Sequence, residues 1–217
     1  YKRQKKGDTL LDVGAGTGAV ALCLAERLKH LEIKITGLEL QPRLAELANM
    51  SAAANGFDFL HFQNCDIFNA RLPFNSFAHV VTNPPYAEKD IPSPNASKAA
   101  AHNLGQEGLA GWIKFCLKMI KPSGYFYMIN RAEALDNIVT ALHGKAGEIR
   151  VIPFYSKPGQ NAKRVVVCAR KDSRAPLAVT PGLHIHQADS SHTAEAEAIF
   201  RDGASLEQLF KNQSIKA

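Results

Sequence analysis

No apolar run in this 217-residue sequence reaches the length needed to cross a membrane, so no membrane-spanning helix is expected. Metal-binding cysteine spacing is missing too. Cys23, Cys65, Cys116 and Cys168 lie at least 42 residues apart and form no CxxC pair, so the expectation is reduced core thiols in a cytosolic protein. There is no internal repeat and no low-complexity tract. Acidic residues are in the minority: 26 Lys+Arg face 20 Asp+Glu, a net charge of +6 that suits an anionic partner such as nucleic acid. A hydrophobic content of 46% is enough for a substantial core, expected in one main domain.

The opening YKRQKKGDT followed by LLDVGAGTGAVALCLA imitates a signal peptide, with a basic stretch before an apolar one. Asp12 and three glycines interrupt that apolar stretch, which excludes the reading. Short apolar runs then alternate with helical periodicity. Strands are expected at 9–13, 32–40, 58–63, 77–82, 124–130, 148–155 and 163–170, and helices near 17–30, 42–55, 106–120 and 132–145. That order predicts an α/β fold: a doubly wound, mostly parallel seven-stranded sheet. The last two strands are joined by the short SKPGQNA link and are expected to form an antiparallel hairpin. Beyond Lys171 the composition turns polar, so residues 1–171 read as the main domain and 172–217 as an extension packing on it. One amphipathic helix, TAEAEAIFRDG, is expected there with Thr193 as its cap.

Five places carry candidate chemistry. Asp12-Val13-Gly14-Ala15-Gly16-Thr17-Gly18 follows the first strand and opens a helix. Glycines there let the backbone turn tightly and approach a ligand whose anionic group meets the helix N-terminus. The spacing is GxGxG, not the GxGxxG of dinucleotide sites, and DxGxGxG after a strand points to S-adenosylmethionine. Glu39 ends strand two, 21 residues beyond Gly18, where an acid can accept both hydroxyls of a ribose. Asp66, in NCDIF after strand three, is placed either to accept from a cofactor's exocyclic amine or to cap a turn. All three acids fall at the carboxyl ends of strands.

The fourth place is Val81-Thr82-Asn83-Pro84-Pro85-Tyr86-Ala87, after strand four. Two prolines end the strand and hold Asn83 in extended geometry. The result is a stiff turn that presents an amide oxygen, bare carbonyls and one ring. A planar amino group is a poor nucleophile because its lone pair is delocalised. The Asn83 side-chain oxygen and the Pro84 carbonyl are placed to hold its two hydrogens and steer it toward a pyramidal form. Pro85 stiffens the turn beside substrate, and Tyr86 is the candidate stacking ring, a contact worth ~1–3 kcal/mol for a base.

The fifth place is loop 87–103, long enough to suggest a substrate loop or lid, with His102 as a candidate to touch RNA or move a proton, a plain surface histidine being the favoured reading. His184, His186 and His192 lack acid or Cys partners at ligand spacing and read as surface, so no metal is expected. Arg131 after strand five, and Lys157, Lys163 and Arg164 beside the hairpin, are candidate phosphate contacts.

Taken together, DVGAGTG, GLELQP, NCDIF and TNPPY resemble class I S-adenosylmethionine-dependent methyltransferases of the amino-methylating NPPY branch. FYSKPGQNAKRVVVCARK and LHIHQADSSHTAEAEAIFRDGASL narrow the likeness to the bacterial tRNA1(Val) adenine N6-methyltransferase family. The resemblance covers nearly the whole chain. It implies a cytoplasmic, monomeric enzyme acting on RNA, with tRNA as the substrate, and S-adenosyl-L-methionine as cofactor. Asp12, Gly14, Gly16, Gly18, Glu39, Asp66 and Asn83 would then bind that cofactor. Asn83, Pro84 and Tyr86 would be catalytic, and Pro85, Tyr86, Arg131, Lys163 and Arg164 would bind substrate. NPPY is shared with glutamine N5-methyltransferases, whose usual N-terminal helical domain has no counterpart in this sequence. Members of the tRNA family carry a segment before strand one, where only eight residues stand here. Either that piece is missing or this member lacks it. A cofactor-binding RNA module without turnover is a third reading.

Overall fold

The computed structural model describes residues 4–85 and 107–206 of the chain. Its strands are β1 (Thr9–Val13), β2 (Lys34–Glu39), β3 (Leu60–Asn64), β4 (Phe77–Thr82), β5 (Ile120–Arg131), β6 (Ala146–Tyr155), β7 (Ala162–Lys171), β8 (Ala178–Val179) and β9 (Leu183–His184). The helices are α1 (Ala19–Leu28), α2 (Pro42–Ala54), α3 (Gly108–Met119), α4 (Leu135–Leu142) and α5 (Ala194–Asp202). One sheet contains all nine strands, in the order β3-β2-β1-β4-β5-β7-β6-β8, with β9 also paired to β6. The sequence pattern predicts seven strands. The two extra ones, β8 and β9, are two residues long and carry no periodicity that could announce them.

The central strands are mostly apolar and buried because both faces of the sheet are covered, with Asp12, His79 and Thr82 as buried polar exceptions in β1 and β4. In β1, Leu10 enters one core and Leu11 the other, as alternation along a strand requires. Leu10 packs with Ala21 and Ala25 of α1 and Ala48 of α2, whereas Leu11 packs with Trp112 and Ile113 of α3 and Ile138 of α4. Small alanines on α1 and α2 let those helices lie close to the sheet. Several local signals explain the helix boundaries. Pro42 begins α2, where its missing N–H costs nothing. Thr193 caps α5, its hydroxyl oxygen accepting from the Ala196 N–H at 3.1 Å, and Gly203 closes that helix at φ 64°.

Two elements and the cysteines depart most from the sequence pattern. β5 starts at Ile120, four residues early, through an irregular stretch in which Ser123 takes φ 62° and the register against β4 shifts. The expected 132–145 helix is a 3-10 turn followed by α4, ending at Leu142. Of the four cysteines only Cys116 and Cys168 are core, since Cys65 is half-buried and Cys23 stands exposed on α1. Ala21, Ala25 and Leu28 make the buried face of α1, and Cys23 falls off it. None of the four cysteines is in a disulfide.

The antiparallel pairing of β6 with β7 is as expected, and β7 is also antiparallel to β5. β6 therefore runs in the same direction as β1 to β5, and the carboxyl ends of six strands share one edge. The first residues of β7 reach that same edge.

Candidate active site

Gly14, Gly16 and Gly18 all have positive φ, at 73°, 57° and 85°. Side chains resist that conformation, so the loop between β1 and α1 needs glycine at each of these positions. The Gly14 and Ala15 N–H groups both donate to the Leu38 carbonyl at 2.9 Å, locking the loop onto the end of β2. A Cβ on Gly14 would stand 2.9 Å from the Trp112 ring, whereas one on Gly16 would meet nothing within 4 Å. Gly14 makes room for a side chain of the protein. Gly16 leaves its space open.

That open space belongs to a cavity of about 330 Å³ lined by Gly14, Gly16, Glu39, Asp66, Asn83 and Trp112, among others. Leu40, Ile67 and Phe68 supply apolar wall, and Pro85 closes one side. Four separate strand ends converge on it, since Val13 registers with Leu38 and Thr82, and Glu39 with Asn64. A larger cavity of about 620 Å³ lies on the α1 face of the sheet, lined by Val20, Leu24, Tyr127, Ile129, Ile152 and Val166, among others. None of the sequence-predicted site residues lines that one. The smaller cavity is the one that sequence-predicted site residues line.

Glu39 is buried, and both of its carboxylate oxygens accept backbone hydrogen bonds. Oε2 accepts from the Gly16 N–H at 2.8 Å and Oε1 from the Gln41 N–H at 2.8 Å. The carboxylate thus braces the glycine loop against the entry to α2 and still borders the cavity. Asn64 fixes the backbone behind it, donating from Nδ2 to the Glu39 and Leu40 carbonyls at 3.0 and 2.8 Å. Asp66 does cap a turn: its carboxylate accepts from the Phe68 N–H at 3.0 Å and from Asn69 Nδ2 at 2.9 Å. It also lines the cavity, so the two roles weighed for it occupy one place.

Asp12 is 1% exposed, and burial pushes its carboxyl up from 3.8 to about 7. The Ala21 N–H of α1 donates to it and opposes the rise, while the Glu39 charge adds to it. Asp12 thereby serves the start of α1, where Gly18 offers no side-chain cap. Its Oδ2 has no hydrogen-bond partner among the described residues.

Asn83 is exposed at the cavity and Pro84 is buried behind it. Thr82, the residue before, is held by two hydrogen bonds: its Oγ1 donates to the Val13 carbonyl at 2.7 Å and accepts from Trp112 Nε1 at 2.9 Å. These contacts tie the end of β4 to the end of β1 and to α3. Sequence reasoning missed Trp112. Its signal was available, because it is the chain's only tryptophan and sits in an apolar helix directly after the candidate substrate loop. Tyr86, His102 and the loop 87–103 lie outside the described residues.

Arg131, Lys163 and Arg164 stand at the same sheet edge. Arg131 registers with Arg164, so both project to the α1 face, while Lys163 falls at a register shift between β6 and β7. His186 and His192 pair their rings at 5.2 Å, and His192 Nδ1 lies 2.9 Å from Glu197 Oε1. Among the described residues no group of three His, Cys, Asp or Glu side chains is placed to hold a metal, and no helix is long and apolar enough to cross a membrane.

A 3-2-1-4-5-7-6 sheet with a glycine loop, a strand-two acid and a cavity at the carboxyl edge defines an S-adenosylmethionine-dependent methyltransferase. The chain belongs to the methyltransferase-domain family, whose profile matches residues 4–153. Over 171 residues it is 28% identical to the tRNA1(Val) (adenine(37)-N6)-methyltransferase of Actinobacillus succinogenes, covering 76% of this chain and 70% of that one. It is 36% identical over 103 residues to the release factor glutamine methyltransferase of Vibrio cholerae, covering 43% of this chain and 35% of that one. In structure it resembles a predicted O-methyltransferase from Agrobacterium tumefaciens, with a TM-score of 0.76, 24% identity and coverage of 93% and 92% of the two chains. That likeness concerns the fold. Further structural neighbours are S-adenosylmethionine-dependent enzymes.

Proposed function

We propose that this enzyme methylates the exocyclic N6 amine of an adenine in RNA, with tRNA as the substrate. One observation carries the reading: Asn83 and Pro85, from the turn after β4, line the same cavity as the glycine loop and Glu39. An acceptor for a planar amine is thereby set beside the place for a methyl donor. The similarity to enzymes named for tRNA1(Val) adenine, which extends over most of both chains, favours adenine over other planar amines.

The residues fit the cofactor. The cavity offers two acids, apolar walls and an open space beside Gly16, as an adenosyl group with a polar tail requires. When bound, S-adenosylmethionine supplies a methyl group activated by its sulfonium. Gly14, Gly16 and Gly18 let the backbone approach it, Glu39 meets the ribose, Asp66 meets the base amine, and Asp12 holds the loop from beneath. Asn83 Oδ1 and the Pro84 carbonyl accept the two hydrogens of the target amine, so its lone pair turns toward the methyl. Their benefit grows as the nitrogen becomes positive, and the buried Pro84 keeps them from having to reorganise. Tyr86 stacks on the base. An adenine within a helix would have to be flipped out, and one in a loop is already accessible.

The second reading, methylation of a protein glutamine amide, has the same clamp and a shorter but closer similarity behind it. Incubating the protein with methyl-labelled cofactor and separated RNA and protein fractions decides between them. Label recovered as N6-methyladenosine in the RNA fraction is expected. Label confined to protein would overturn the adenine reading.

A further inference from the structure

Arg131, Arg164 and Phe154 form a single cross-strand row. Arg131 on β5 registers with Arg164 on β7, and Arg164 registers with Phe154 on β6. Residues directly opposite one another in a sheet project to the same face. That face is the one on which Ile129, Val166 and Ile152 line the larger cavity, and the row stands two residues farther along each strand, toward the carboxyl edge of β5 and β6. Both arginines are exposed and Phe154 is half-buried.

The row is also close to the clamp. Thr82 registers with Met128, so Arg131 stands about two residues farther along than Asn83 and one strand over, or about 8 Å between Cα atoms. An arginine side chain spans that distance. Arg164 lies one strand beyond and Phe154 one more, so the row leads away from the target position in a line.

We propose that this row is the track for the RNA strand flanking the methylated adenine. Arg131 and Arg164 hold successive phosphates, and Phe154 stacks on a neighbouring base. Guanidinium groups suit phosphate because their planar forks donate two parallel hydrogen bonds. An aromatic ring accepts any base, so the track sets the strand's position without reading its sequence. Lys163 is adjacent in sequence but falls at the register shift beside Phe154, outside the paired row.

This inference rests on the RNA reading of the site, and its test keeps the two apart. Wild-type protein is given labelled cofactor and bulk tRNA, and KM for tRNA is measured at several salt concentrations. The comparison includes Arg131→Gln, Arg164→Gln, Phe154→Ala, Lys163→Gln and Lys121→Gln, the last at the far, exposed end of β5. Each arginine variant should raise KM about tenfold and lower the salt slope by about 1, since one phosphate contact is lost. Phe154→Ala should raise KM while leaving the salt slope alone. Lys163→Gln should do less than Arg164→Gln, and Lys121→Gln nothing. If wild-type label reaches only protein, both the RNA reading and the track fall. If tRNA is methylated but the arginine variants keep wild-type KM and salt slope, or Lys163→Gln matches Arg164→Gln, the track alone is overturned.

Discussion

Trp112 donates its indole N–H to Thr82 Oγ1 at 2.9 Å, and the same ring packs against Gly14 closely enough to exclude a Cβ there. One side chain from α3 thus touches both the strand end that carries Asn83 and the loop that carries the glycines. The cavity proposed to hold the cofactor has Trp112 as part of its wall.

Because Trp112 is the only tryptophan, intrinsic fluorescence reports on that wall alone. Titration with S-adenosylhomocysteine should change the emission in a saturable way. Trp112→Phe should weaken cofactor binding and lower stability by about 1 kcal/mol, the usual worth of a lost buried hydrogen bond. Emission unchanged at saturating ligand, as measured by calorimetry, would contradict the placement of the cavity.

Glu39 braces the fold as well as facing ligand, so its removal should be felt twice. Glu39→Ala leaves the Gly16 and Gln41 N–H groups without their acceptor, a destabilisation of roughly 1–3 kcal/mol. Calorimetry should show weakened cofactor affinity, and thermal unfolding a lower Tm. Glu39→Gln keeps one acceptor oxygen and should fall between. Wild-type affinity and Tm in the alanine variant would refute both roles.

Asp12 predicts a pH dependence with a definite sign. Burial raises its folded pKa to about 7, from 3.8 for the free side chain, so between those values the folded state holds a proton that the unfolded state has lost. Its contribution is therefore unfavourable to stability as pH rises through that window, by about 1.4 kcal/mol per unit. Asp12→Asn removes the titration and keeps an acceptor for the Ala21 N–H. Denaturant unfolding at pH 5 and pH 7 should show the variant gaining on wild type by roughly 2 kcal/mol across the interval, since the folded carboxyl is already half titrated at its upper end. A gap that does not change with pH would show that burial does not govern this carboxyl.

Local patterning was enough to announce the seven long strands, the glycine loop and the three acids, because each depends on periodicity or on a short spacing. It did not announce β8 and β9, whose two-residue ladders depend on where β6 happens to lie. The pairing of Trp112 with Thr82 was invisible for the same reason: thirty residues separate them and only the folded sheet brings them together. Glu39 was legible as an acid at a strand end, but its bonds to Gly16 and Gln41 required the loop's actual course. Arg131, Lys163 and Arg164 looked alike in sequence. Register is what sets Lys163 apart, since it falls at the irregularity beside Phe154 and not in the paired row.

The central claim is that Asn83 holds the reacting amine. Its most direct test is single-turnover methyl transfer to tRNA by Asn83→Ala, with cofactor affinity and Tm measured on the same preparation. By analogy with a lost oxyanion-hole donor, worth ~2.7–4 kcal/mol, the transfer rate should fall by about 10²–10³-fold while cofactor affinity and Tm stay close to wild type. Transfer at the wild-type rate would show that the amide holds nothing and that the two prolines only end a strand.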